Sequence, residues 1–357
     1  MIVLPMDIFL SGVEGKPDDL VILANSFEKR CIAFASKLER QPQRYKAQSV
    51  TLLTYSDRGD RLVRQKCNAN FRSIERVGKD LSLTGNVYQL YLEPYEVLPA
   101  IRNFRNLFSS IANQSSVVVD ISTIPKIHLI YLIDEAFNSN RVSILRLVYT
   151  RARYGKYDAL SWGAEEPVIL PKFGKPRFSE PGKSCLVLFC GLEPERSYSI
   201  WRRFGQDRCI RFFIDSGEDD FDRPTSRAIR FSNFDEREPP IILPAFRPEE
   251  VLLKIWSVYQ ECKQNGEHLF IAPLTTKWEA CAVWEFFHEL GNDADASIVY
   301  CAPGRFNASG YTVDEFGDLL LTVLARISSD SCELSDSAKR LSGFRQSVKH
   351  FVSCQVY

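Results

Sequence analysis

The stretch SVVVDISTIPKIHLIYLIDEAF, Ser116 to Phe137, decides which fold class the sequence favours. Its first part, Val117 to Val119, is a short β-branched apolar run, typical of a strand buried on both faces of a sheet. From Ile127 to Phe137 apolar residues recur at helical spacing, and Pro125 suits a first helical turn. The stretch therefore predicts a buried parallel strand that ends at Asp120 and leads directly into a helix.

The same pattern occurs again later in the chain. HLFIAPLTTKWEACAVWEFFHEL also combines an apolar strand, a threonine-containing turn, a lysine and an amphipathic helix. Lys126 aligns with Lys277, and the same shift aligns Tyr149 with Tyr300. Two upstream pairs follow in the same order: YLEPYEVLPAIRNFRNLF matches PAFRPEEVLLKIWSVYQEC, and LVILANSFEKRCIAFASKL matches CLVLFCGLEPERSYSIWRRF, which places Arg30 on Arg196 and Glu28 beside Glu195. Four ordered matches indicate an internal duplication.

Each copy contains strands that alternate with helices, which predicts an α/β fold: a tandem duplication of a Rossmann-like parallel-sheet unit with strand order 3-2-1-4-5. The expected strands are near 20–24, 50–55, 87–92, 117–120 and 144–149, and then near 185–190, 208–214, 241–244, 269–272 and 297–301. The predicted organisation is a first unit over 1–165, a Pro/Gly/Lys-rich linker over 166–184, a second unit over 185–312, and C-terminal helices over 313–357 that pack on the second unit. Those helices are expected in EFGDLLLTVLARI and DSAKRLSGFRQSVKHFV.

Strands 1 and 4 of such a unit flank the switch point where ligands bind. A helix N-terminus with nearby Arg and Lys suits a phosphate, hydroxyls add donors, and a carboxylate suits a sugar or a base. The candidate ligand-binding residues are Ser26, Glu28, Arg30, Asp120, Ser122, Thr123, Lys126, Tyr149 and Arg151 in the first unit, and Arg196, Thr275, Thr276 and Lys277 in the second. The aromatic and basic loop that continues through Arg153 and Tyr154 suits base stacking.

A purely structural role is the alternative for each of these residues. Ser122 or Thr123 as a helix cap, and Lys126 as a solvated surface charge, would account for the turn equally well. SFEKRC reads as a first helical turn with Ser26 as its N-cap. Asp120 would then only accept donors of its own turn.

Composition and missing motifs exclude several classes of protein. The formal net charge is zero, so direct binding to duplex DNA is not indicated. Ten cysteines without a CxxC pair indicate buried free thiols, and neither a signal peptide nor a membrane span is recognisable, so a cytoplasmic protein without membrane association is expected. GxGxxG, HExxH and GxSxG are absent, and we predict no metal and no cofactor other than a nucleotide ligand.

A strand that ends in DIST, with a basic residue entering the next helix, resembles the CRISPR-associated Rossmann-fold sensor family, and the tandem arrangement resembles the SAVED domain of bacterial defence effectors. The resemblance rests on Asp120, Ser122, Thr123 and Lys126. It implies a pocket for cyclic oligoadenylates, a role in antiviral defence, and a separate effector or ATPase as protein partner.

The leading hypothesis is therefore a nucleotide-binding sensor or regulatory subunit that binds a nucleotide or cyclic oligonucleotide and acts with a separate effector. In one alternative the chain is a metal-dependent hydrolase or nuclease, with Glu28 and Asp120 as acid/base groups or metal ligands. In the other it is a non-catalytic docking platform in a multiprotein complex. The first two hypotheses predict ligand binding, whereas the third predicts none.

Overall fold

The computed structural model describes residues 3–5, 17–40, 45–57, 59–153, 160–174, 183–215, 228–229, 232, 234–235, 237–291, 295–309, 316–326 and 351–352. The chain divides into two compact units, which are described separately below. Unit 1 consists of residues 1–153 together with 312–357, and unit 2 consists of residues 154–311.

Unit 1 begins with alternating strands and helices. Its elements are β1 (Val3–Pro5), β2 (Asp18–Ala24), a 3-10 turn (Lys29–Ile32), α1 (Ala33–Glu39), β3 (Ala47–Tyr55), α2 (Arg61–Leu81), β4 (Val87–Leu92), α3 (Val97–Ser109), β5 (Ser115–Asp120), α4 (Lys126–Asn138) and β6 (Val142–Ala152). Strands β2 to β6 are parallel and lie in the order β4-β3-β2-β5-β6. The predicted order 3-2-1-4-5 is confirmed.

The core of unit 1 explains why these runs become strands. Val117, Val118 and Val119 have no exposed surface, because helices cover both faces of the sheet. Right-handed crossovers place α1 and α2 on one face, and α3 and α4 on the other. Phe34 of α1 and Ile74 of α2 lie in one apolar cluster with residues of β2 and β3.

Unit 2 has the same parallel strand order. Its elements are β7 (Ser161–Ala164), β8 (Val168–Ile169), β9 (Ser184–Phe189), α5 (Pro194–Phe204), β10 (Arg208–Asp215), β11 (Ile241–Pro244), α6 (Pro248–Asn265), β12 (His268–Pro273), α7 (Lys277–Leu290), β13 (Ala296–Tyr300) and β14 (Pro303–Phe306). The main sheet runs β11-β10-β9-β12-β13-β8, with only β8 antiparallel, and β14 pairs with β7. All ten predicted strands are present, each ending within three residues of its predicted end.

The C-terminal segment differs from the prediction. EFGDLLLTVLARI was expected to be a helix, but it forms β15 (Phe316–Arg326), which pairs antiparallel with β6 of unit 1. A leucine-rich run has no period that separates a helix from a buried strand, and the open edge of β6 supplies hydrogen-bond partners that select the strand. The second predicted helix lies outside the described residues except for β16 (Phe351–Val352), which pairs with β15.

Two predicted boundaries also change. The C-terminal segment belongs to unit 1 rather than unit 2, and the first part of unit 1 ends at Arg153 rather than near 165. The predicted linker is partly structured, because Val168–Ile169 pairs with β13 and therefore joins the sheet of unit 2. Among the helices that the structure describes, none has the length and apolar character needed to cross a membrane.

Candidate functional site

The carboxyl ends of β2 and β5 form the switch point of unit 1. The two strands are adjacent, and the chain leaves β2 towards β3 but leaves β5 towards β6. Connections that diverge in this way open a crevice at the ends of the strands. Asn25 follows β2 directly, and Asp120 is the last residue of β5, so both polar side chains flank this crevice.

Asp120 is buried, with 1% of its surface exposed. Its Oδ1 accepts hydrogen bonds from the Ser122 backbone N–H at 3.0 Å and from the Ser122 hydroxyl. Its Oδ2 is also buried and has no hydrogen-bond partner in the described part of the chain. Burial raises the pKa of Asp120 to about 6, although the Ser122 hydrogen bonds and the Arg30 charge lower it. A carboxyl group with one oxygen free is thus held inside the protein.

The hydroxyls of Ser122 and Thr123 are used within the protein. Ser122 Oγ donates to Asp120 and accepts from the Thr150 N–H at 2.8 Å, which ties the turn after β5 to β6. Thr123 Oγ1 donates to the Ala24 carbonyl at 3.2 Å, which ties the same turn to the end of β2. In this arrangement both side chains shape the crevice, and neither caps α4.

Other buried polar atoms that have no hydrogen-bond partner among the described residues occur on neighbouring strands of unit 1. These atoms are Asn25 Oδ1, Thr54 Oγ1, the Tyr55 hydroxyl and Thr150 Oγ1. They belong to residues at the carboxyl ends of β2 and β3 and near the end of β6. Because buried polar groups are nearly always hydrogen-bonded in native proteins, such a group of atoms marks a place for water or a ligand. The sequence reading missed Asn25, whose only signal is its position directly after a buried strand.

His128 lies in the first turn of α4 and packs on this region. Its ring stacks on Tyr55 with 5.5 Å between the ring centroids. Burial lowers the pKa of His128 to about 4, more than the Glu96 backbone raises it, so the ring is neutral at pH 7. Neither ring nitrogen has a hydrogen bond of normal geometry within the described residues.

Glu28 and Arg30 form a buried ion pair. Arg30 Nε and Nη2 donate to the two carboxylate oxygens of Glu28 at 2.9 and 3.2 Å, and Nη1 donates to the Thr150 carbonyl at 3.1 Å. The guanidinium also lies over the Tyr149 ring, 5.6 Å from its centroid. Ser26 is buried beside them, and its Oγ accepts from the Glu28 N–H. This cluster links the loop after β2 to β6 and leaves both Glu28 oxygens occupied.

Unit 2 repeats this cluster with one correction to the alignment. Arg196 Nε donates to the Cys301 carbonyl at 2.7 Å, and its guanidinium lies 5.2 Å from the centroid of Tyr300. Its acidic partner is Glu193, not Glu195, whose carboxylate accepts from the Gly163 N–H. Arg196 stands in the first turn of α5, so its side chain reaches back to the residue that precedes the helix.

The turn before α7 in unit 2 is a helix cap. Thr276 Oγ1 accepts from the Trp278 N–H at 3.3 Å, and the Glu279 carboxylate accepts from the Thr276 N–H at 2.6 Å, which together form a capping box. Thr275 Oγ1 also donates to Glu279 at 3.1 Å. Helix α4 of unit 1, by contrast, has no side-chain cap. The end of β12, where β5 has Asp120, carries apolar residues, so the two units differ at their switch points.

The remaining predicted residues occupy different environments. Lys126 and Lys277 are the first residues of α4 and α7, and both are half-buried. Tyr149 is buried against Arg30, whereas Arg151 is half-buried. Arg153 is exposed, and Tyr154 lies outside the described residues. The structure thus brings Asp120, Ser122, Thr123 and the Glu28–Arg30 pair together at the carboxyl ends of β2 and β5. Lys126 lies at the start of α4, the helix that follows β5.

Comparison with known proteins adds little to this picture. No protein-family model matches the chain, and no curated protein matches it. One solved structure to which the chain is similar is phosphoethanolamine N-methyltransferase 1 of Haemonchus contortus, in complex with phosphoethanolamine and S-adenosylhomocysteine. It shares 8% identity over 75% of this chain and 72% of its own, with a TM-score of 0.23. A likeness of that size carries no argument about function, and the fold assignment rests on the strand order itself.

Proposed function

We propose that unit 1 binds a nucleotide in the crevice at the carboxyl ends of β2 and β5. The observation that carries the proposal is the buried Asp120 Oδ2, which has no partner in the described structure although it lies at the switch point. Asn25 Oδ1, on the other side of the same switch point, is in the same condition. Two buried acceptors at a strand edge where α/β proteins bind ligands favour a ligand that donates hydrogen bonds.

The chemistry of these atoms determines which part of the ligand they would contact. Carboxylate and amide oxygens accept hydrogen bonds, so they suit sugar hydroxyls or the amino group of a base, not phosphates. A phosphate would be placed at the start of α4, where no side chain caps the helix and Lys126 adds a positive charge. The acceptor oxygens would then bind the sugar or the base of a nucleotide, and the start of α4 would bind its phosphate.

Binding is better supported than hydrolysis. A metal-dependent or acid/base reaction would use Glu28 together with Asp120, but both Glu28 oxygens are bonded to Arg30. Recruiting Glu28 would require breaking a buried ion pair, which is costly. Hydrolysis therefore remains an alternative, which predicts turnover of the nucleotide. The docking platform is the other alternative, and it predicts that no nucleotide binds.

The proposed biological role extends the resemblance of DISTIPK to sensor proteins. On that basis the ligand is a cyclic oligonucleotide, and the chain acts with a separate effector in antiviral defence. The shared strand order and the repeated Glu–Arg–Tyr cluster support a tandem duplication as the origin of the two units. The difference at their switch points supports unit 1 as the ligand-binding copy.

Thermal-shift measurements with nucleosides, mononucleotides and cyclic oligonucleotides, with and without a divalent cation, test the proposal. A ligand at about 100 times its Kd stabilises the folded state by about 2.7 kcal/mol, which gives a clear rise in Tm. The Asp120→Asn variant keeps the size of the side chain but replaces one acceptor oxygen with a donor, so we expect the shift to be lost. Lys126→Ala should weaken phosphate-bearing ligands, whereas its counterpart Lys277→Ala is the matched control in unit 2.

Three results would contradict parts of this proposal. A ligand shift that persists in Asp120→Asn would place the ligand elsewhere. No shift with any nucleotide would favour the docking platform. Hydrolysis of the added nucleotide that is abolished in a Glu28→Gln variant shown to be folded would favour the enzyme.

A further inference from the structure

We propose that unit 2 binds a zinc ion at the amino-terminal edge of its sheet, with Cys185, Cys262 and Glu267 as ligands. One ligand atom from each of these residues lies within 4.8 Å of the other two. The site is formed at the start of β9 and the end of α6, at the sheet edge opposite the carboxyl ends of the strands. The inference is independent of the nucleotide proposal for unit 1.

The local fold explains how the three side chains meet. Cys185 is the second residue of β9 and stands next to Leu269 of β12 in the sheet. Cys262 lies in the last turn of α6, and Gly266, with a φ of 67°, is the C-cap residue that follows the helix. This left-handed residue reverses the chain, and the Glu267 N–H then donates to the Cys262 carbonyl at 2.8 Å. This turn at the end of α6 therefore places Glu267 beside Cys262.

The donor atoms are those that zinc prefers. The two thiols are fully buried, and their sulfur atoms lie within 4.8 Å of each other and of a Glu267 carboxylate oxygen. Thiolate sulfur with a carboxylate oxygen suits Zn²⁺ and excludes Mg²⁺ or Ca²⁺, which take oxygen ligands. Among the described residues, the hydrogen bonds from Arg208 at 3.3 Å and Asn265 at 3.5 Å to the Glu267 carboxylate are both accepted by Oε2. Its Oε1 accepts neither of them and is the oxygen that we assign to the cation.

The surrounding charges fit a bound cation. Arg208 contacts the carboxylates of Glu267, Glu238 and Glu261 at 3.3, 2.7 and 2.7 Å. One guanidinium among three carboxylates leaves the surroundings of the site acidic, which favours a cation there. On binding, each thiol releases its proton to solvent as its sulfur forms a bond to zinc. Three protein ligands leave the fourth tetrahedral position to water.

Cobalt titration of the full chain tests the site. The protein is reduced, stripped with a chelator and titrated with Co²⁺, whose thiolate charge-transfer absorption reports sulfur ligation directly; Zn²⁺ is then added as competitor. We expect one equivalent of cobalt bound through thiolate and displaced by zinc. Cys262→Ala and Glu267→Gln should weaken binding, the cysteine variant by at least about 100-fold. Cys209→Ala, which removes a buried cysteine from neighbouring β10, is the matched control and should bind as the wild type does.

Several outcomes would overturn the proposal. One is a reduced wild-type chain that shows no thiolate-to-cobalt absorption. Another is a cobalt affinity equal to that of the wild type in folded Cys262→Ala or in Glu267→Gln. The glutamine variant keeps a partly exposed side chain of the same size, so it tests the site even if the cysteine variant does not fold. A Cys185–Cys262 disulfide found by mass spectrometry, in a chain that binds no metal once reduced, would assign the pair to a crosslink instead.

Discussion

Replacing Asp120 with Asn should change how stability depends on pH. Burial raises the pKa of Asp120 from 3.8 to about 6 in the folded chain, so the folded state holds this proton more tightly than the unfolded state does. An acid of this kind lowers stability as pH rises from the unfolded pKa through the folded pKa. The penalty is absent well below pH 4, grows as the pH rises towards 6, and is nearly complete at pH 7. Asn cannot ionise, so the variant escapes it.

The size of the effect follows from the shift. A displacement of about two pKa units corresponds to about 3 kcal/mol of unfolding free energy. The wild type should therefore lose about 2–3 kcal/mol relative to Asp120→Asn between pH 3.5 and pH 7. Urea denaturation of both proteins across this range measures the difference, and subtracting the two curves removes the contribution of every other carboxylate.

A second variant sharpens the test. Ser122→Ala removes the hydroxyl that lowers the pKa of Asp120, so the pH range over which the wild-type carboxyl titrates should move upward. A difference between wild type and Asp120→Asn that stays constant from pH 3.5 to pH 7 would refute the assignment of a raised pKa to Asp120. The free carboxyl oxygen would then be solvated, and the case for a ligand at the switch point would weaken.

Three further substitutions test structural assignments, each by urea denaturation. Glu28→Gln leaves the buried Arg30 charge without its carboxylate and should cost about 3–5 kcal/mol of unfolding free energy; a loss below 1 kcal/mol would show that the pair is solvated. Thr276→Ala removes the cap of α7 and should cost about 1 kcal/mol, and an unchanged midpoint would contradict the capping box. Gly266→Ala places a side chain at a φ of 67° and should cost about 1 kcal/mol, while equal stability would exclude strain at this turn.

The strands were predictable because their burial requires apolar residues that are visible in the sequence. Runs such as Val117–Val119 are apolar on both faces, and a parallel sheet covered by helices buries such a run completely. The C-terminal strand β15 was not predictable, because Leu319–Leu324 suits a helix equally well until β6 offers its open edge. The conformation of this segment depends on its pairing with β6, which is distant in sequence, so no local sequence pattern predicts it.

The site was predictable in position but not in detail. The end of β5 and the turn after it were identified from DISTIPK, yet the direction of each hydroxyl depends on which backbone groups lie nearby in three dimensions. Thr123 is used by the end of β2, which is 99 residues away in sequence. Glu195 was matched to Glu28 because it is adjacent to Arg196, whereas helical geometry pairs Arg196 with Glu193.

The comparison of the two units separates structural residues from candidate binding residues. The Glu–Arg pair over a tyrosine occurs in both units, and in each its guanidinium donates to the carbonyl of the residue after that tyrosine. The two units differ at their switch points but share this Glu–Arg–Tyr cluster, so the cluster is explained by the fold that they share. At the equivalent place in the described part of unit 2, β12 ends in apolar residues and α7 is capped by Thr276, so the fold does not require Asp120 or the uncapped start of α4. These unshared features therefore bear most directly on function, whereas the shared arginines bear first on stability.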